Sequence, residues 1–113
     1  MVSPTELARS VWEKSRESKL RWEELSENGY IASIGENSVA VDKIQQEYYL
    51  RFINEDGKVA ATIDSRSAGM VRDRNALTGP ERSLVEEIYN IARQQVLRTD
   101  ETLINIHRNL QKL

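Results

Sequence analysis

Glu47-Tyr48-Tyr49-Leu50-Arg51-Phe52-Ile53-Asn54-Glu55-Asp56-Gly57-Lys58-Val59-Ala60-Ala61-Thr62-Ile63-Asp64 is the stretch whose reading decides the fold. It breaks into two runs rich in aromatic and β-branched residues, Glu47 to Asn54 and Lys58 to Asp64, joined through Glu55-Asp56-Gly57. An acidic, glycine-containing link between two such runs is a strong hairpin signal. Side chains alternate between faces along a strand, so Tyr48, Leu50 and Phe52 share one face with Val59, Ala61 and Ile63, the expected core. Tyr49, Arg51 and Ile53 share the other, where Tyr49 and Ile53 supply apolar surface that needs cover.

Working back towards the N-terminus, Tyr30 to Ile34 and Val39 to Asp42 read as two further strands around a Gly35-Glu36-Asn37-Ser38 turn. Short links between successive strands favour an antiparallel meander. Residues 5–27 read as a helix, with Leu7, Ala8, Val11, Trp12, Trp22 and Leu25 along one side, and Ser15 and Ser18 filling the interval. Leu20 falls off the stripe and is expected to be exposed. Ser3 or Thr5 is placed to cap the helix with Pro4 in its first turn, and Asn28-Gly29 to end it.

Towards the C-terminus, residues 65–78 have no period and hold Arg66, Arg72 and Arg74 against Asp73. Such a loop is expected to be mobile and to recruit acidic groups of a partner through its arginine forks. Thr78-Gly79-Pro80-Glu81 is a capping-box pattern that predicts a helix start. Leu84, Val85, Ile88, Ile91, Ala92 and Val96 form a stripe that continues in phase through Leu103, Ile106, Leu110 and Leu113. One helix to Leu113 fits the period, but Arg98-Thr99-Asp100-Glu101 looks like a fresh start, which favours two helices with a break near Thr99. The expected fold is therefore α+β in a single domain spanning 1–113: an N-terminal helix, a four-stranded antiparallel meander, and a C-terminal helix or helical hairpin.

Trp22, then Tyr30-Ile31-Ala32-Ser33-Ile34-Gly35, then residues 48–57, then Ile88-Tyr89-Asn90-Ile91-Ala92-Arg93 make an order of landmarks that resembles a group of small uncharacterised bacterial proteins. The resemblance implies a bacterial or phage origin, a short last helix starting near Thr99, and no activity.

The chemistry that composition excludes is sharper. The chain of 113 residues has no cysteine, which removes disulfides and thiolate chemistry, and one histidine, His107, which removes a two-histidine metal motif. Its glycines are scattered, so no phosphate-binding loop is present. Asp42, Glu47 and Asp64 lie near strand ends, where acids commonly protect edges. No acid, base and nucleophile set emerges, and the sequence calls for no cofactor. The net charge is −2, and residues 30–64 carry three basic against six acidic side chains, which makes a nucleic-acid partner unlikely. No apolar run approaches ~18 residues, so no membrane span is expected, and the absence of an export signal points to the cytoplasm.

The helices and two-faced sheet hold more apolar surface than one sheet face can cover. The expected function is a non-enzymatic interaction module that forms a homodimer or binds a protein partner of unknown identity. Its surface would draw on Arg66, Arg72, Arg74, Tyr49, Ile53, Ile106 and Leu110. Single-stranded nucleic-acid binding is the alternative, by analogy of layout with coactivators built on four strands and a helix; an enzyme ranks third.

Overall fold

The chain alternates apolar and polar residues from Tyr30 onward, and that alternation becomes four strands of a five-stranded meander. The computed structural model describes residues 2–66, 70–71 and 82–113. Helix α1 spans Pro4–Arg16 and is followed by strands β1 Trp22–Ser26, β2 Gly29–Ile34, β3 Asn37–Ile44, β4 Glu47–Ile53 and β5 Val59–Asp64. These form one antiparallel sheet in the order β1-β2-β3-β4-β5. Two-residue strands β6 Met70–Val71 and β7 Arg82–Ser83 pair with each other, and helices α2 Leu84–Leu97 and α3 Thr99–Gln111 close the order. The α+β class holds, with five strands in place of the expected four.

Register lines up the core. Trp22, Ala32, Val39, Phe52 and Ala61 form one row across the sheet, and Tyr30, Val41, Leu50 and Ile63 the next. Onto these rows α1 lays Ala8, Val11 and Trp12, and α2 lays Leu84, Val85, Ile88, Tyr89 and Ala92, so both helices cover the same face. Tyr89 sits between Tyr30 and Tyr48, with ring centroids 5.5 and 5.2 Å away. Burial, more than the neighbouring phenols, holds the Tyr89 hydroxyl above its ordinary pKa.

Helix α1 starts as expected: Ser3 Oγ accepts from the Glu6 N–H at 3.1 Å in a capping box, with Pro4 in the first turn. It does not run to residue 27. It stops at Arg16, Ser18 adopts a left-handed φ of 58°, and the chain turns into β1. The two serines in the expected stripe mark that turn. Ser15 is buried, and its hydroxyl accepts from Trp22 Nε1 at 3.2 Å. Trp22 thus reaches the core from a strand, while Leu25 is exposed and Leu20 packs against the core, the reverse of the helical expectation. Asn28-Gly29 belongs to the β1–β2 hairpin, in which Ser26 pairs with Gly29, and is not a helix end.

Two further corrections follow from local geometry. The pairing skips a residue between Phe52–Ala61 and Ile53–Val59, so Val59 turns away from the core face and is exposed. Arg82–Ser83 is strand, so the helix opens at Leu84 rather than at the expected capping box; residues 72–81, which include Thr78-Gly79-Pro80-Glu81, lie outside the described residues. The Ser83 hydroxyl donates to the Ser65 carbonyl at 2.9 Å, tying the start of α2 to the end of β5. The break between the last helices falls where the sequence placed it: Arg98 is left-handed at φ 51° and ψ 47°.

Gln95 of α2 holds the edge of the sheet. Its Oε1 accepts from the Trp22 N–H at 2.5 Å and its Nε2 donates to the Leu20 carbonyl at 3.2 Å, so one side-chain amide supplies the pairing that a neighbouring strand would. Gln95→Ala leaves both backbone groups unpaired in a half-buried place, and is expected to lower unfolding free energy by about 1–3 kcal/mol. The exposed neighbour Gln94→Ala should fall within about 0.5 kcal/mol of the parent. Urea denaturation of the two variants checks the difference.

Candidate functional site

Among the described residues three surfaces are candidates for a site. The first is the sheet face opposite the helices. There Asp42 lies in a row with Gly29, Tyr49 and Asp64, beside a row holding Ile31, Ala40, Arg51 and Thr62. Glu47 accepts from the Tyr49 hydroxyl at 2.9 Å and pairs with Arg66 Nη2 at 2.8 Å. That hydrogen bond, backed by the Glu47 charge, holds the Tyr49 phenol above its usual pKa, so it is a neutral donor at physiological pH.

On the same face Asp42 is buried and ion-paired with Arg51 through Oδ2 and Nη2. Among the described residues neither Oδ1 of Asp42 nor Nε of Arg51 has a hydrogen-bond partner. The pair stands in the wall of a polar groove of about 480 Å³ that Ser26, Asn28, Lys43 and Gln45 also line. The groove's turn is strained, since Gln45 and Gln46 both have positive φ, at 50° and 70°. Gly29 is required beneath Asp42: a Cβ there would stand 2.5 Å from Asp42 Oδ1 and 2.7 Å from Ser26 Oγ.

The second surface is α3. From Glu101 onward every described side chain of this helix is exposed, with Leu103 at 61%, Ile106 at 51% and Leu110 at 61% of full exposure. These residues recur at the spacing of one helical face, and Ile104 and Leu97 extend it. The principal contact of α3 is with α2, and the molecule is correspondingly elongated, 57 × 38 × 28 Å. His107 Nε2 lies 3.2 Å from Gln111 Nε2 on the exposed surface of α3.

The third is an apolar groove at one end of the sheet, about 270 Å³, where Leu7 and Val11 of α1 face Ile34, Phe52, Ile53 and Ala60.

The residues expected to bind a partner are therefore not gathered into one site. Tyr49 and Arg66 converge on Glu47; Ile53 lines the apolar groove; Ile106 and Leu110 stand on α3. Arg66 is exposed, while Arg72 and Arg74 lie outside the described residues, as does most of the 65–78 loop. Among the described residues no three acidic or histidine side chains are grouped as metal ligands, and no helix is long and apolar enough to cross a membrane. Sequence reading missed the Asp42–Arg51 pair and the groove at Leu7 and Ile34, since both depend on register between strands. No protein-family model, curated protein or solved structure matches the chain.

Gly29→Ala forces Asp42 or Ser26 to move and is expected to cost about 1–3 kcal/mol by thermal or urea unfolding. Arg66→Ala, which removes only a solvent-exposed ion pair, should leave the melting temperature unchanged.

Proposed function

We propose that this protein is a non-enzymatic interaction module that self-associates through α3, of the bacterial or phage kind that the sequence resemblance implies. The carrying observation is the exposed stripe of Leu103, Ile106 and Leu110 on a helix whose main contact is with the end of α2. An amphipathic helix with an uncovered apolar face is not stable in water at this length, because isolated helices below ~12–15 residues are marginal, and α3 has 13 residues. Burying such a face is what stabilises a helix in a folded protein.

Magnitudes set what association requires. Completing the burial of half-exposed leucine or isoleucine side chains contributes roughly 1 kcal/mol each. Leu103, Ile104, Ile106 and Leu110 from two copies supply eight of them. That total only offsets the ~4–15 kcal/mol that association costs in lost translational and rotational freedom, so a micromolar dimer, at about −8 kcal/mol net, requires further contacts besides the α3 stripe. The same surface could take a different protein, which would compete with the dimer.

The single-stranded nucleic-acid reading would use the open sheet face, where Asp42, Glu47 and Asp64 outnumber Arg51 and Arg66, which pair with the first two. Those carboxylates repel a phosphate backbone.

Light scattering on the purified chain at 100 µM is expected to give twice the 13.0 kDa chain mass; a single-chain mass at that concentration overturns the proposal. In fluorescence polarisation, a labelled single-stranded oligonucleotide should not bind more tightly than about 10 µM at physiological salt. Submicromolar, salt-sensitive binding would replace self-association with the nucleic-acid reading.

A further inference from the structure

We infer that the occupant of the apolar groove between α1 and the end of the sheet is helix α3 of a second copy, exchanged reciprocally. The inference rests on the self-association reading and names the surface that α3 meets.

Area favours reciprocal exchange over two α3 helices pairing with each other alone. A helix of 13 residues is about 20 Å long and presents a contact strip about 10 Å wide. One such strip per partner is well short of the ~800 Å² that each side of a stable interface buries. Reciprocal exchange gives each copy two buried surfaces, its own α3 and its own groove, and so about doubles the area buried per copy. Among the described residues the groove offers an apolar counterpart: Leu7 and Ile34 are 40% and 44% exposed, and Val59, next to the groove residue Ala60, is also exposed. Its volume, about 270 Å³, lies below the range of ordinary small-molecule sites. It suits one or two anchoring side chains spaced along a helix, the helix-in-groove mode of recognition.

Charge is complementary as well. Beyond Asp100 and Glu101 in its first turn, α3 carries Arg108, followed by Lys112 just after its end, and no acid. The groove lies between two turns, Gly35-Glu36 beside Ile34 and Glu55-Asp56 beside Asn54, whose three exposed acids face one base, Lys58. The apolar stripe of α3, with its basic C-terminal end, gains orientation as well as burial in an acidic-rimmed apolar groove.

The experiment measures dimer dissociation by light scattering across 1–200 µM for the full chain and two variants, each confirmed as folded by circular dichroism. Leu110→Asp disables the helix; Ile34→Lys disables the groove at an exposed strand end. Each variant alone is expected to raise the dissociation constant at least about tenfold. Mixed in equal amounts, they should recover a dimer, because the intact α3 of one enters the intact groove of the other, and the remaining contact joins opposite charges. If Ile34→Lys does not fold, Leu7→Lys tests the same groove from α1. Wild-type association by the groove variant, with loss by the helix variant, overturns the inference and leaves self-association through α3 standing. A wild-type chain that is monomeric throughout overturns both.

Discussion

The structure depends on the coverage of a single sheet face. Five antiparallel strands spaced about 4.8 Å apart make a surface roughly 20–25 Å across, and two helices packed at 8–10 Å fill it. Helices α1 and α2 take those places and bury Val39, Val41 and Leu50 beneath them. A third helix has no room on that face. The left-handed residue Arg98 turns the chain out of α2's line, and α3 leaves the body with its apolar residues still uncovered. The uncovered apolar face of α3 is thus a geometric consequence of a chain that makes one more amphipathic helix than its sheet can hold.

That constraint also explains how much could be read from residues. Strands β2 to β5 were legible because each carries two or more inward side chains in alternation, as Tyr48, Leu50 and Phe52 do on β4. Strand β1 was not, because only Trp22 of its five residues is buried. A strand with one inward residue has no period, and Trp22 with Leu25 fitted a helical stripe equally well. Val59 was placed on the wrong face because a bulge in pairing leaves no mark in the sequence. The break at Arg98 was legible from the polar run that interrupts a continuous stripe, and the excess of apolar stripe beyond the sheet was legible from its length.

Much of the candidate surface lay beyond sequence reading. Ile106 and Leu110 could be identified from periodicity, since an unpartnered helix face and a buried one share the same pattern; their exposure could not. The groove joins Leu7 to Ile34 and Phe52, residues far apart in the chain that only the meander's register and the seat of α1 bring together. Asp42 and Arg51 likewise meet because β3 and β4 pair with Asp42 opposite Tyr49, two residues from Arg51. Their part-buried pairing and the glycine beneath Asp42 read as structural, joining β2, β3 and β4 where Gly29, Asp42 and Tyr49 pair.

The central claim is that α3 is bare in a single chain and covered in an assembly. Hydrogen exchange of the backbone amides of residues 102–111, measured at 1 µM and at 200 µM, tests it most directly, because marginal helices exchange freely until packing protects them. The account predicts that protection of these amides rises with concentration while that of the β3 and β4 amides stays constant. Protection of α3 that is the same at both concentrations would contradict it.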